Sequence, residues 1–192
     1  MREAPAAMTA AQRGTATHQF LQFADFASLA ENGVEAELAR LKERHFLEEA
    51  AAAGVYVTQL ERFRGSDLFR RICASAEVHR EFRFNAPMDA WRFTENPALA
   101  EVLRRDSVRL IVQGVVDCVF RDKDGTLTLV DYKTDRPTAE EYKNPALADD
   151  RFIARHSMQL SYYREICAAM FGEEIGRAVI YSTALAREIA VK

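Results

Sequence analysis

Two apolar runs, IVQGVVDCVF (residues 111–120) and LTLVDYKT (127–134), flank the dipeptide Asp124-Gly125. Runs rich in β-branched residues around Asp-Gly predict an antiparallel hairpin, with strands at 110–121 and 126–134. Each run holds one residue that a buried strand should reject, Asp117 in the first and Asp131 in the second. A carboxylate in such a place is costly unless a cation or hydrogen-bond donors compensate it. Counted from Gly125, Asp117 lies eight residues back and Asp131 six forward. The two acids are therefore near neighbours across the ladder, given a bulge or a small register offset. Lys133 follows Asp131 at i+2 and shares its face. Two carboxylates and an ammonium on one sheet face suit a hard divalent cation with a charge-stabilising amine beside it.

The rest of the chain supplies a frame for this hairpin. The first 75 or so residues read as helical. One helix runs from Gly14-Thr15 through His18, Leu21, Phe23, Phe26 and Leu29 to Asn32-Gly33, and a second covers Val34–Phe46. Shorter helices are expected over 47–53, 58–64 and 66–74, the last capped by Ser66. Val78–Phe84 alternates as a strand does. Residues 87–107 are broken by Pro87 and Pro97 and read as a connection, and 135–150, with Pro137 and Pro145, as a loop. Arg151–Phe171 is a long helix stopped by Gly172, and Arg177–Leu185 is a final strand. The order, helices and then β–β–β–α–β, predicts an α/β domain. The expected division is a poorly ordered segment 1–11, a helical part 12–76 and an α/β core 77–192.

Composition narrows the classes. Hydrophobic residues make up 48% of the 192, so the chain can bury a core and is not of the disordered kind. The formal charge of −3 does not announce nucleic acid, but a metal-holding site is itself acidic, and a basic track can be local. Cys73, Cys118 and Cys167 stand alone without CxxC spacing, which argues against a disulfide framework or a zinc or iron–sulfur cluster and for buried thiols. No run approaches the roughly 20 apolar residues that a membrane span needs, and the start lacks a secretory apolar segment, so a cytoplasmic protein is expected.

The arrangement Asp117, thirteen residues, then Asp131-Tyr132-Lys133 resembles the active site of the PD-(D/E)XK nuclease superfamily. Gly14-Thr15-Ala16-Thr17-His18 resembles the Gly-Thr-x-x-His helix of RecB-like nucleases, and Gln159-Leu-Ser-Tyr-Tyr163 matches their Q-x-x-x-Y element. With HQFLQFADF, REFRF, VQGVVDCVF, VDYKTDR, QLSYY and IYSTAL in this order, residues 12–190 are similar to the C-terminal nuclease domain of the AddA component of AddAB-type ATP-dependent helicase–nucleases. The resemblance implies a restriction-endonuclease-like core: a three-stranded meander, a helix and a further strand behind an N-terminal helical region. The phosphate-binding loop of a helicase, G-x-x-x-x-G-K-[ST], is absent from this sequence. So is the four-cysteine cluster that some relatives of this nuclease class carry.

The resemblance further implies a division of labour. His18, Asp117, Asp131 and the carbonyl of Tyr132 would hold Mg²⁺ or Mn²⁺. Lys133 would orient the attacking water and stabilise the transition state, while Gln159 and Tyr163 would position the phosphate backbone or the loop beside the metal. Glu81, at the start of the REFRF strand, is a further possible member. The expected activity is metal-dependent DNA exonuclease cleavage during double-strand break resection. The expected partners are single-stranded DNA, the helicase part of the same component, and the AddB component that completes the heterodimer. A stand-alone RecB- or Cas4-like exonuclease and a catalytically inactive DNA-binding scaffold are the alternatives. Arg62, Arg64, Arg70, Arg71, Arg104, Arg105, Arg109, Arg151 and Arg155 are candidates for a phosphate track, and Trp91, Tyr142 and Phe152 for base stacking. Thr134 and Asp135 are expected only to shape the strand end, and His79 and His156 have no assigned role.

Overall fold

The computed structural model describes residues 8–191. Its centre is a five-stranded mixed sheet in the order β1-β2-β3-β4-β5. The strands are β1 (Val78–Asp89), β2 (Arg109–Arg121), β3 (Leu127–Lys133), β4 (Ile175–Ser182) and β5 (Arg187–Val191). β1, β2 and β3 form the expected antiparallel meander, and β4 joins β3 in parallel after a helical crossover. β5 then folds back on β4 as an antiparallel edge, a hairpin that the single strand 177–185 did not anticipate.

Helices cover both faces. On one side lie α1 (Ala10–Phe23), α2 (Phe26–Glu43), α3 (Glu49–Gly54), α4 (Val57–Arg64) and α5 (Asp67–Ala74). They bury Phe20, Leu29, Leu41, Leu60 and Phe63 against Cys118, Phe120, Val130, Tyr132 and Tyr181 of the sheet. The other side is covered by α8 (Pro145–Phe171), which places Phe152, Leu160, Ile166 and Cys167 on Val119, Leu127, Leu129 and Ile180. Each large side chain removed from water in these layers stabilises the fold by about 1.5–3 kcal/mol before entropy is counted.

Several expected boundaries move, each for a local reason. The first helix starts earlier, because Thr9 and Gln12 form a capping box, so residues 9–11 of the segment expected to be poorly ordered are built into α1. Residues 1–7 lie outside the described residues. The helix expected to reach Gly33 is instead broken at Ala24, where the Asp25 carboxylate caps a new one. Gly33, at φ 84°, still interrupts α2, and Glu61 accepts the freed Val34 N–H at 2.8 Å. Pro97 and Pro145, read as breakers, sit in the first turns of α6 (Pro97–Arg105) and α8, behind the caps Asn96 and Asn144. α7 (Ala139–Lys143) begins at another capping box, on Thr138. Cys118 and Cys167 are buried as expected, whereas Cys73 is exposed. No helix among the described residues is long and apolar enough to cross a membrane.

Candidate active site

The β2–β3 ladder has only four rungs, from Arg121↔Leu127 to Cys118↔Val130. Beyond it the strands part. β3 continues beside β4, while β2 continues beside β1 as a two-stranded arm that a short 3₁₀ turn (Ala90–Phe93) and α6 close off. Asp117 and Asp131, next after the last rung, stand at the crotch of this fork. The hairpin closes on Asp122 and Thr126, so the two acids fall directly opposite each other, without the bulge or offset the count required, where the sheet opens.

The arm also turns over at its root. Val78 packs on the α1–α5 layer and Arg80 lays its guanidinium 4.2 Å from the Phe26 ring there, yet Phe82, Phe84, Ala86 and Met88 all face α8. In β2, Val116 and Val119 share the α8 side while Cys118 faces the other layer. The switch falls at Glu81 and Asp117, where the β1–β2 ladder lacks its rung. Glu81 carries it with φ 47°, and of the four non-glycine residues with positive φ among the described residues it alone lies within a strand. A left-handed residue in a strand costs about 1–3 kcal/mol, and such strain concentrates at functional sites.

Glu81, Asp117 and His18 form one cluster, each offering a ligand atom within 4.8 Å of the others. His18 Nδ1 lies 3.4 Å from Asp117 Oδ1 and 3.8 Å from Glu81 Oε1. Burial disfavours a charged imidazole, but the two carboxylates outweigh it and push the His18 pKa up to about 10. An imidazolium therefore balances the acids when nothing else does. Asp131 is turned from this trio toward Lys133, whose Nζ is 2.8 Å from Asp131 Oδ2. Burial and the nearby Asp117 carboxylate raise the Asp131 pKa to about 6, against the pull of Lys133. Glu81 Oε1 and Asp131 Oδ2 are buried without an aligned hydrogen-bond donor. Carboxylate oxygens of Glu81 and Asp117 around one histidine nitrogen, with a further buried carboxylate at Asp131, fit an oxygen-preferring divalent cation. Of the expected trio His18, Asp117 and Asp131, the close cluster holds the first two together with Glu81, the further possible member, and Asp131 stands beside it. Tyr132 takes part through its N–H, which donates to Asp117 Oδ2 at 2.7 Å, while its ring is buried in the core against Phe63.

Lys133 leads to α8. It donates to Gln159 Oε1 at 3.3 Å, and Gln159 Nε2 donates to the Tyr163 hydroxyl at 2.9 Å. The Tyr163 ring meets Phe84 edge-on at 5.6 Å, which ties the chain of contacts to the arm. The Q-x-x-x-Y spacing thus places both side chains on the helix face over the strand end.

α1 reaches the strands because Gly14 has no side chain. A Cβ there would lie 2.8 Å from Thr134 Oγ1. Gly14→Ala is expected to cost about 1–3 kcal/mol in overpacking, of which helix propensity returns only about 1 kcal/mol. In a Thr134→Ala background the same substitution is expected to stabilise instead. Thermal melts of the four proteins of this cycle check the sign reversal, and equal effects in both backgrounds would show that the contact is not limiting.

His156 lies on the same α8 face, one turn before Gln159, with Nε2 4.0 Å from Asp135 Oδ2. Burial, then the charge of Lys133 and to a smaller extent those of Arg155 and Arg151, outweigh Asp135 and lower its pKa to about 4. The unfolded chain takes up this proton first. The contribution is therefore full above pH ~6.5 and lost as pH falls toward 4, by up to ~3 kcal/mol for a shift of this size. Between pH 7 and 4.5 the wild type is expected to lose more stability than His156→Gln. Parallel Tm profiles would remove the assignment.

Most of the arginines expected to form a phosphate track meet partners within the chain. Arg64, Arg70, Arg71, Arg105, Arg151 and Arg155 are all ion-paired with nearby acids. Arg62 donates to the Ala184 carbonyl, Arg104 stacks on Trp91, and Arg109 is held by the Pro87 carbonyl beside Asp89. Phe152 is core, while Tyr142 is exposed.

A forked α/β sheet with an Asp/Asp-x-Lys group at its opening defines a nuclease class, and the comparisons agree. The PD-(D/E)XK nuclease superfamily is matched over residues 1–188, and the chain belongs to it. It is also similar to proteins named as the A subunit of an ATP-dependent helicase/nuclease. Identity is 30% over 176 residues with that of Geobacillus thermodenitrificans, covering 91% of this chain and 14% of the relative. It is 31% over 180 residues, with the same coverage, for Geobacillus kaustophilus. For Clostridium perfringens it is 28% over 196 residues, covering all of this chain and 15% of the relative. The chain thus spans about one-seventh of the length of these proteins.

Proposed function

We propose that this nuclease domain hydrolyses DNA phosphodiester bonds with Mg²⁺ or Mn²⁺ held by His18, Glu81, Asp117 and Asp131, with the Tyr132 carbonyl beside them. The observation that carries the reading is the convergence of His18, Glu81 and Asp117 from α1, β1 and β2, with the buried Glu81 Oε1 lacking a hydrogen-bond donor and the Asp131–Lys133 pair of β3 beside them. The ion would supply charge neutralisation at the phosphate and a more acidic water. Lys133 has two duties. Its ammonium stabilises charge that builds on the phosphoryl oxygens, and its tether to Gln159 and Tyr163 fixes its direction before substrate arrives. Asp117 holds the fork closed through the Tyr132 N–H and orients His18.

The names of the relatives extend the proposal. The domain acts as the exonuclease part of a cytoplasmic helicase–nuclease, receives single-stranded DNA from helicase modules of the same polypeptide, and works with a second polypeptide in double-strand break repair. The test is cleavage of an end-labelled single-stranded oligonucleotide by the chain with Mg²⁺, with Mn²⁺ and with EDTA. Cleavage that needs metal and yields short products from one end is expected. Cleavage that persists in EDTA overturns the metal assignment, and no cleavage with either metal overturns the hydrolytic one.

A further inference from the structure

The arm is a partnered sheet on one face only. Phe84 and Met88 are buried toward α8, but the opposite face, made by the cross-strand pairs Arg83↔Val115, Asn85↔Gln113, Pro87↔Ile111 and Asp89↔Arg109, is exposed throughout. The α1–α5 layer, which covers that side at the root of the sheet, stops short of it, because the arm leaves the core at Glu81 and Asp117. Arg83 is two residues from Glu81, and Val115 two from Asp117. Arg83 has no ion pair or hydrogen-bond partner among the described residues, while the exposed Arg109 donates to the Pro87 carbonyl at 2.8 Å and lies 3.8 Å from Asp89. The face therefore combines an unpaired guanidinium, a second that rests on the Pro87 carbonyl, two amides and exposed apolar side chains, and its root lies at Glu81 and Asp117.

We propose that this open face is the track for the incoming strand: Arg83 near the root and Arg109 at the far end hold separate phosphates of single-stranded DNA, Asn85 and Gln113 contact the sugar–phosphate backbone between them, and Val115 and Ile111 support the bases. The charge argues for this occupant, since two arginines against one aspartate attract a polyanion, and continuity argues for it as well, since a backbone followed down the arm reaches Glu81 and Asp117 at its root. The apolar groups alone would suit a protein surface, but amides and guanidinia alternating with them along both strands suit a polymer that alternates charge with flat apolar bases. The track rests on the proposed nuclease reading and adds to it the path of the substrate.

The experiment measures binding of a fluorescent single strand of about 15 nucleotides, long enough to cover the arm and the site, by anisotropy in EDTA across a salt series. It is done for the wild type, Arg83→Ala, Arg83→Ala/Arg109→Ala and, as a control on the helical layer, Arg70→Ala. Loss of one phosphate contact on a single strand lowers the slope of log K against log salt by about 0.7, and loss of two by about 1.4. Those decreases are expected for the arm variants with unchanged Tm, and none for Arg70→Ala. An unchanged slope in Arg83→Ala, with a wild type that cleaves, overturns the track and leaves the nuclease reading standing. A wild type that neither binds nor cleaves overturns both.

Discussion

Lys133→Ala is expected to reduce cleavage by about 10²–10³-fold, the cost of losing one group directed at transition-state charge, at every metal concentration. The reason is geometric. Nζ is held between Asp131 Oδ2 at 2.8 Å and Gln159 Oε1 at 3.3 Å, so it belongs to the chemical step and lies outside the His18–Glu81–Asp117 cluster. Metal binding should survive, seen as a metal-induced rise in Tm equal to that of the wild type. Gln159→Ala should lower the rate less, because the ammonium remains but loses its tether. Raised metal that restores the Lys133→Ala rate would move Lys133 into the metal site and overturn this division of roles.

Removing the acids has the opposite signature. A ligand present at about 100 times its Kd adds roughly 2.7 kcal/mol to the stability of the native state, which is several degrees for a chain of this size at about 2–4 °C per kcal/mol. In Asp117→Asn/Asp131→Asn this shift is expected to vanish together with cleavage. Asparagine is the better probe at 117, because Asp117 Oδ2 accepts the Tyr132 N–H. Alanine there would leave a buried amide unsatisfied at about 1–3 kcal/mol and confuse a folding defect with a metal defect. A differential melt with and without Mg²⁺ decides the matter: an equal shift in both proteins would show that the ion binds elsewhere.

The site was legible in the sequence where its residues are close along the chain. Asp131 and Lys133 share a face because strands have a period of two, Gln159 and Tyr163 because helices repeat near four, and the Asp-Gly turn set Asp117 against Asp131. The family resemblance brought in His18, which no periodicity could have placed. What carries it to the strands is the missing side chain at Gly14 against Thr134, a contact between residues 120 apart. Glu81 was only a possible member, since alternation in REFRF gives no sign of a left-handed residue at its second position. Pro97 and Pro145 misled because a proline in the first helical turn and a proline that ends an element look alike until the preceding asparagine is seen to cap.

Local chemistry written into the sequence therefore determined the hairpin, the Asp-x-Lys strand, the long crossover helix and the α/β class, because turn preference, periodicity and capping act over a few residues. Tertiary structure alone decided the rest. The β2–β3 ladder stops after four rungs, the arm turns over at Glu81, and most of the candidate arginines find acids that are distant in sequence or a turn away. Each of these depends on which surfaces remain exposed once two helical layers have closed on one sheet. That packing leaves Arg83 free beside the acidic cluster while it commits Arg71 to Asp122 and Glu188, and no reading of either arginine's neighbours in the chain tells them apart.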